Sequence, residues 1–592
     1  MNAVRRVLSC VLMLVAAGLA VDAPAATDAE RAFDRLVADY ETWRLAENPI
    51  EAGRRGDLEA LARWPDAGPA AVDRRRTRTR QFLARLDAID ATALPAGART
   101  SHAVLAYLLD SAVARAPFGE ERMPFVNDSG FFTTPLYVAA SARPKTREQA
   151  EAWLARLDAL PDWLDAHVDW MRRGVETGFV QPAPVVEAVL AQIDTITATA
   201  PADSPLLAPI EALPPRLAEA HGEALRAGAL TRIESGVMPA YRRIASFFRD
   251  DYLARPRASI GISEVPHGRA YYRALVRHHT TRDTTPEAVH QQGLAEVARI
   301  RAEMEAIVAE LEFDGSFADF LHFLRTDPQF YAETPDELIM HASWIAKRAD
   351  DAMPRFFGRL PRLPYGVRPV PGHLAPTYTT GRYWPGDLDN GVAGGYMVNT
   401  HALDQRPLYA LPALTLHEAV PGHHHQGALA QELEDLPDFR RTTYITAFGE
   451  GWALYTEYLG IEMGIYRTPY EHFGRLTYEM WRACRLVVDT GIHYFGWTRE
   501  QAEACLLENS ALAPHNVRTE VTRYIAWPGQ ALAYKTGELL IRELRADAEA
   551  RLGDAFDLRA FHDHLLAQGT MPLDSLEARM RRWIADQAAS GG

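Results

Sequence analysis

Apolar residues recur at spacings of three and four along most of this 592-residue chain, and that helical periodicity limits its fold more than any other feature. The pattern is clearest in residues 28–43, 74–89, 148–172 and 286–312. Thr285 precedes Pro286 and Glu287, the order of a capping hydroxyl, an early proline and an acid in the first helical turn. Thr498 and Gln501 have the spacing of a capping box. The chain is therefore predicted to be mainly α-helical.

Segments rich in proline and glycine interrupt the helical pattern at residues 200–215 and 360–386, and the first is predicted to be a loop between helical layers. The sequence GGYMVNT, residues 394–400, is one of few strand candidates. It is predicted to be an edge strand of a small β-sheet beside the functional site. That strand is either purely structural or pairs with an extended peptide, for which Tyr396 and Asn399 are the candidate substrate-binding residues.

The first 26 residues have the pattern of a secretory signal peptide. Arg5 and Arg6 are followed by a short apolar run and by small residues that favour cleavage after Ala25 or Ala26. Cys10 follows Val-Leu-Ser, as a lipidation site would, but most of the apolar run lies after it, so cleavage without a lipid is the favoured interpretation. The mature protein is expected in the periplasm or outside the cell.

Residues 27–592 are then expected to form a single large helical domain, with a helical N-terminal half to about residue 270 and a metal-site half from about residue 271. No stretch of ~18 apolar residues follows the leader, so no membrane span is expected. The net charge of −15 becomes −16 without the leader, which carries two arginines and one aspartate, and this acidity disfavours nucleic acid as a partner. Cys484 and Cys505 lie in helical sequence and are interpreted as buried small residues rather than as a disulfide.

Residues 414–430, LTLHEAVPGHHHQGALA, carry the most distinctive motif of the chain. In a regular helix His417 and His424 would share a face but lie ~10.5 Å apart along the axis, and His423 would point about 120° away from His417. Zinc–nitrogen bonds are only about 2.0–2.1 Å long, so a regular helix could not bring these imidazoles to one ion. Pro421 lacks a helical N–H and its ring clashes with the preceding turn, so the helix must kink or bulge there.

Without the inserted Val-Pro pair, the motif would read His-Glu-Ala-Gly-His and end at His423. The distortion therefore predicts His417 and His423 as metal ligands, with His424 as the rival for the second position. Glu418 is predicted to be the general base that takes a proton from metal-bound water. The alternative interpretation is a histidine-rich turn with solvated side chains that binds nothing.

A catalytic zinc site needs a third protein ligand and an open position, and the apolar helical segment at residues 444–460 offers two carboxylates. Glu450, set between glycines, is the predicted third ligand, because a carboxylate in apolar surroundings is costly unless it is paired or bound to metal. Glu457 is predicted to orient a ligand histidine. For both residues the alternative is an exposed helix face. Two imidazoles and a carboxylate suit zinc best, and one ion is expected.

Another apolar helical stretch, residues 478–497, carries further polar candidates. Arg482 and Arg485 lie at helical spacing from Asp489, so structural ion pairing is the favoured interpretation. The functional alternative is that either arginine binds a substrate carboxylate. His493, on the same stretch, is a candidate for a position near the metal.

Two tyrosines flank a Pro-Gly pair in residues 523–538. Either Tyr524 or Tyr534 is a candidate for stabilising the developing oxyanion. The alternative for both is a packing role in which the ring is buried and the hydroxyl meets water. Residues 125–132, FVNDSGFF, are a candidate lining of the cleft.

Together these motifs resemble the family catalogued as domain of unknown function 885. The matching stretches are HEAVPGHHHQ (417–426), FGEGWA (448–453), RACRLVVDTGIH (482–493), WPGQALAYK (527–535) and residues 271–281 with the Thr-Pro-Glu and Gly-Leu that follow. The resemblance covers about residues 30–585.

That family is similar to the neurolysin-like and angiotensin-converting-enzyme-like zinc peptidases, which implies a largely helical, gluzincin-like fold with a deep cleft. In those relatives the second zinc histidine follows a glycine, as His423 follows Gly422 here. Their third ligand is a downstream glutamate, which matches Glu450.

The expected function is that of a secreted or periplasmic zinc metallopeptidase. A deep cleft would favour oligopeptides over folded proteins, by analogy with the fold alone. One alternative is a metal-dependent hydrolase of a non-peptide amide or a cell-wall fragment, and another is a non-catalytic periplasmic binding protein.

Overall fold

Helices form most of the computed structural model, which describes residues 27–372, 374–388 and 391–590. The predicted signal peptide and Cys10 lie outside the described residues. The α-helices are α1 (Asp28–Glu47), α2 (Pro49–Arg54), α3 (Leu58–Leu61), α4 (Pro69–Asp87), α5 (Ala96–Arg115), α6 (Thr134–Ser141), α7 (Arg147–Asp158), α8 (Leu160–Thr177), α9 (Ala183–Ala198), α10 (Ala208–Glu211), α11 (Pro215–Arg232), α12 (Met238–Phe247), α13 (Gly268–Thr280), α14 (Pro286–Glu310), α15 (Phe317–Thr326), α16 (Pro335–Phe356), α17 (Leu411–Glu418), α18 (His423–Gln431), α19 (Asp438–Thr442), α20 (Thr446–Leu459), α21 (Pro469–Thr490), α22 (Arg499–Asn509), α23 (Pro514–Ala526), α24 (Ala533–Leu552), α25 (Leu558–Leu566) and α26 (Leu573–Ser590). The strands are β1 (Tyr365–Pro369), β2 (Gly381–Trp384) and β3 (Gly394–Val398). The prediction of a mainly α fold with a small sheet is confirmed.

Local sequence signals set several helix ends. The hydroxyl of Thr285 accepts a hydrogen bond from the N–H of Ala288 at the start of α14, and α22 opens with the predicted capping box. The single helix predicted over residues 148–172 is instead two helices, α7 and α8. Pro161 lies in the first turn of α8, where its missing N–H is tolerated, but the same residue cannot continue a helix from α7.

The three strands form one sheet in the order β1-β3-β2. β3 is parallel to β1 and antiparallel to β2, with Tyr396 opposite Tyr383 on β2. The strand predicted at residues 394–400 is therefore present, but the prediction that it is an edge strand is wrong, because β3 is the central strand. β1 and β2 come from the proline-rich segment at residues 360–386, where Pro369 ends an edge strand, a position that tolerates a missing N–H.

The two halves of the chain share a core. One hydrophobic cluster of buried residues extends from Phe33 in α1 to Ile584 in α26. In the metal-site half, α17 packs against α20 and α21, α20 packs along α24, and α14 packs along α21. Among the residues that the structure describes, no helix is both long and apolar enough to cross a bilayer. The fold thus places the histidine motif of α17 on buried helices of the metal-site half.

Candidate metal centre

The histidine motif lies at a break between two helices. Helix α17 ends at Glu418 and α18 begins at His423. Between them, Ala419 and Gly422 leave the helical region with ψ angles of −114° and −130°, and the Val420–Pro421 peptide bond is cis. The predicted distortion is confirmed, and it interrupts the helix completely.

Close packing surrounds this break. A Cβ atom at Gly422 would overlap the carbonyl oxygens of Leu416 and His417, so only glycine fits there. On the outer side, the indole N–H of Trp452 in α20 donates to the carbonyl oxygen of Pro421 at 2.8 Å. The inserted turn is therefore fixed against both neighbouring helices.

The break brings His417 and His423 together with Glu450 of α20. The candidate ligand atoms of the three residues lie within 4.8 Å of one another. Oε2 of Glu450 lies 3.4 Å from Nε2 of His417 and 3.3 Å from Nε2 of His423. That oxygen is buried, yet it accepts no hydrogen bond of normal geometry from the described residues. Two imidazole nitrogens and an otherwise unsatisfied carboxylate oxygen around one point fit a zinc ion.

Glu457 supports His417 from the opposite side. Its Oε1 lies 2.8 Å from Nδ1 of His417 and 3.4 Å from Nη2 of Arg482. A proton on Nδ1 leaves the lone pair of Nε2 directed at the cluster, as in other metal sites where a carboxylate holds a ligand histidine. Burial lowers the pKa of His417, but the neighbouring carboxylates of Glu450 and Glu457 outweigh it and raise this pKa to about 10. Burial raises the pKa of Glu450, and the two histidines bring it well below its ordinary value.

Glu418 lies beside the cluster at the end of α17. Its side chain is buried, and Oε2 accepts a hydrogen bond from the backbone N–H of Tyr383 at 2.7 Å. Because β2 is an edge strand, this N–H is directed away from the sheet and is free to hold the carboxylate. The other carboxylate oxygen makes no such bond to the backbone of β2.

The glycines on either side of Glu450 allow close contacts. A Cβ atom at Gly449 would overlap the hydroxyl of Tyr444, and one at Gly451 would lie 2.5 Å from the Cα of Gly537 in α24. Tyr444 exposes 57% of its surface, but its hydroxyl end is enclosed against α20. Burial of this hydroxyl and the charge of Glu450 raise the pKa of Tyr444 well above its ordinary value. Sequence analysis missed Tyr444, and the small residue beside a candidate ligand was the available signal.

A cavity of about 340 Å³ leads away from Tyr444 between the two halves of the chain. Phe125 and Val126, from the stretch predicted to line the cleft, form part of its wall. Trp527 closes the other side and is 40% exposed. Tyr444 lines this cavity and its hydroxyl lies against Gly449, next to Glu450, so the cavity borders the candidate metal cluster.

A family comparison agrees with the motifs. The model of the family described as "Bacterial protein of unknown function (DUF885)" matches residues 49–580. The chain belongs to this family. No curated protein matches the chain.

Two solved structures resemble this DUF885 chain over nearly all of its length, and both are named as a "putative lipoprotein". The one from Colwellia psychrerythraea is 26% identical, has a TM-score of 0.87, and the match covers 95% of this chain and 100% of that chain. The one from Shewanella oneidensis, described as of unknown function, is 18% identical with a TM-score of 0.71 and coverage of 94% and 100%. The second likeness concerns the fold alone.

In this DUF885 chain, His424 and His493 do not reach the cluster. Nε2 of His424 is 3.0 Å from the carbonyl oxygen of Leu363, and Nδ1 is 3.3 Å from the hydroxyl of Tyr383. His424, the rival candidate for the second ligand, thus uses both ring nitrogens for contacts on the sheet side of α18. His493 is completely buried, and its two ring nitrogens bind the backbone groups of Ile262 and Tyr524. Burial lowers the pKa of His493 to about 3, which fits a structural histidine.

The arginines of α21 are also internal, so the structure does not place them as carboxylate-binding groups in the cleft. Arg482 supports Glu457, while Arg485 binds Glu520 at 2.9 Å and the hydroxyl of Tyr524 at 3.0 Å. The structural interpretation is therefore the one that fits, although Asp489 is not their partner. Nearly all of α21 is buried, so its polar groups are drawn into internal networks.

The remaining candidates divide between the core and the cleft. Tyr396 and Asn399 are fully buried, with the hydroxyl of Tyr396 next to that of Thr415 and the amide of Asn399 donating to nearby backbone carbonyls. Both residues help to hold the sheet and its neighbouring segments together, and neither side chain is accessible to a substrate. Tyr524 is likewise internal. Tyr534 is closer to the site, because its hydroxyl influences the pKa of Tyr444.

Proposed function

We propose that this protein is a zinc-dependent metallopeptidase that hydrolyses peptide bonds in oligopeptides. The observation that carries the proposal is the convergence of His417, His423 and Glu450, with one buried oxygen of Glu450 lacking a normal hydrogen bond. Structural carboxylates at such depth are normally fully hydrogen-bonded, so an unsatisfied oxygen between two imidazoles favours a metal ligand.

The positions of the residues around the cluster support this proposal. A bound zinc ion would supply Lewis-acid activation of a carbonyl and of a water molecule. Glu418 follows the ligand His417 directly, and its carboxylate is held by Tyr383 so that it can take up a proton. The hydroxyl of Tyr444, beside Glu450, can donate a hydrogen bond to the developing oxyanion. The narrow cavity next to Tyr444 favours extended oligopeptides over folded proteins.

The location proposed for this activity is the periplasm or the cell exterior. The signal-peptide pattern at the N-terminus supports export. The names of the two structural relatives support an exported or envelope-associated protein.

Metal content is the first test of the proposal. The purified mature protein should contain one zinc ion per chain, measured by elemental mass spectrometry. His423→Ala should lose the ion, and His424→Ala should keep it because both ring nitrogens of His424 already have partners. Circular dichroism would establish that both variants are folded. Absence of metal after zinc is supplied would contradict the proposal.

Glu418→Gln is the catalytic test. The amide keeps the size of the side chain but cannot take up a proton, so hydrolysis of a mixed oligopeptide library should fall about 100-fold or more while zinc content is unchanged. Cleavage of amides or cell-wall fragments but not of peptides would support the non-peptide hydrolase instead. An unchanged rate in the variant would contradict the role of Glu418.

A further inference from the structure

Arg382 of β2 is an exposed arginine near Glu418, and no carboxylate of the described residues forms an ion pair with it. It forms no hydrogen bond or ion pair with any residue in the described ranges 27–372, 374–388 and 391–590. Its guanidinium lies 5.7 Å from the ring centre of Tyr378. Arg382 is the neighbour in the chain of Tyr383, whose N–H donates a hydrogen bond to Glu418. Because consecutive Cα atoms are only about 3.8 Å apart, the backbone of Arg382 lies close to the general base.

A second arginine, Arg523, lies near enough to Arg382 for its charge to influence the pKa of Arg382. Nη2 of Arg523 is 2.8 Å from the side-chain oxygen of Gln530 and 3.2 Å from the hydroxyl of Tyr534. The carboxylate that Arg523 approaches is that of Glu520, at 3.7 Å, and Arg485 already binds this carboxylate at 2.9 Å. Two arginine charges, those of Arg485 and Arg523, thus share the single charge of Glu520.

The two arginines and Tyr534 act on one another electrostatically. Burial and the charge of Arg523 lower the pKa of Arg382, and the nearby Tyr378, Tyr534 and Glu418 raise it above its ordinary value. Tyr137 of α6, which is 62% exposed, lies near Arg382: burial raises the pKa of Tyr137, and the charge of Arg382 opposes this rise. In a chain of net charge −15, this local excess of positive charge faces the space next to the general base.

We propose that Arg382 and Arg523, with Tyr534 bound to Arg523, form a carboxylate-binding subsite, and that the substrates are oligopeptides with a carboxylate close to the scissile bond. This inference rests on the proposed peptidase function. A guanidinium binds a carboxylate through two parallel hydrogen bonds, which fixes the position of the substrate as well as its charge. Glu418 repels the same carboxylate, so the substrate is oriented with its anionic end at Arg382 and its scissile carbonyl at the metal cluster.

Two peptide groups have this chemistry, the C-terminal carboxylate and the side chain of Asp or Glu, and the experiment separates them. The zinc-loaded protein and its Arg382→Gln variant are compared on peptide libraries in matched pairs: free-acid against amidated C-termini, and Asp/Glu against Asn/Gln. The wild type should prefer the carboxylate member of one pair. Arg382→Gln should reduce kcat/KM for that member by roughly 10- to 100-fold and leave its neutral counterpart within about twofold.

Arg368→Gln is the matched control, because Arg368 is exposed on β1, the other edge of the same sheet. It should keep the carboxylate preference. Equal losses on both members of each pair, or an unchanged preference in Arg382→Gln, would overturn the subsite. If no peptide is cut, binding of the same pairs to the wild type and to Arg382→Gln is measured by calorimetry. A carboxylate preference that disappears with Arg382 would support the subsite and leave only the peptidase proposal contradicted, whereas no preference in binding would overturn the subsite too.

Discussion

At the scale of single residues, Glu457 determines which nitrogen of His417 faces the candidate metal cluster. Without a partner on Nδ1 the imidazole could turn or carry its proton on Nε2, and either change would remove a ligand. The buried contact to Arg482 holds Glu457 in turn. The contact of Arg482 with Glu457 and that of Glu457 with His417 therefore fix the orientation of the His417 ring.

Glu457→Gln should weaken zinc binding by roughly 10- to 100-fold, the usual effect of losing the carboxylate partner of a ligand histidine. The amide keeps an oxygen for Arg482 and so preserves the fold. Zinc affinity is measured by competition with a chromogenic chelator. Glu462→Gln is the control, since Glu462 lies just after the same helix and pairs with Arg545 at the surface. A zinc affinity equal to that of the wild type would contradict the role given to Glu457.

Single residues also show which candidates the structure brings together. His417, His423, Glu450 and Glu457 were identified because carboxylates and imidazoles in apolar helices need a chemical reason to be there. Tyr444 is a common residue type, and its only signal in the sequence is indirect, in the glycine at position 449 beside Glu450. Its role becomes visible only when its hydroxyl is seen against Gly449.

At the scale of elements, the break between α17 and α18 replaces a regular turn of helix. It moves His423 from the far side of a helix to a position where its ring centre is 4.8 Å from that of His417. The backbone of the break is closely packed, so the ligand geometry depends on the absence of a side chain at one position.

Gly422→Ala should therefore remove or greatly weaken zinc binding in a protein that still folds. The added methyl group overlaps backbone oxygens of α17, and these cannot move aside as a flexible side chain would. Gly427→Ala in α18 is the matched control, because the closest atom to its new methyl group is a ring carbon of Tyr383 at 3.5 Å. Zinc content and far-UV circular dichroism are measured for both. Full zinc content in Gly422→Ala would show that the break can relax.

The packing of helices and strands against one another also shows what could not be predicted from the sequence. Periodicity and caps located several of the longer helices, among them α1, α4 and α14, since both signals are local. The order of strands in the sheet is not a local property, and β3 was mistaken for an edge strand for that reason. In α21, polar residues on an apolar helix looked like candidates for the cleft, but packing on all sides by other helices gave them internal partners instead. Burial on several sides cannot be read from the periodicity of one helix.

At the scale of the whole molecule, a buried carboxylate connects several elements that enclose the cleft. Asp489 of α21 is completely buried. It accepts hydrogen bonds from the hydroxyl of Tyr272 in α13 at 2.5 Å and from the N–H of Gly529 at 3.0 Å. Gly529 follows Trp527 and Pro528 of the cavity wall. Burial raises the pKa of Asp489 to about 7, although these two hydrogen bonds oppose the change.

Stability should consequently depend on pH through Asp489. Between pH 4 and 7 the carboxyl group of Asp489 stays protonated in the folded protein but loses its proton in the unfolded chain. Rising pH therefore destabilises the fold, by roughly 4 kcal/mol over three pKa units. The effect levels off above about pH 7, where the folded protein also loses the proton. Asp489→Asn imitates the protonated acid, so its free energy of unfolding relative to wild type should increase over this range in denaturant titrations. The exposed Asp169→Asn should show no such trend. A difference that is constant or shrinks with rising pH would mean that the hydrogen bonds from Tyr272 and Gly529 outweigh burial and keep Asp489 ionised.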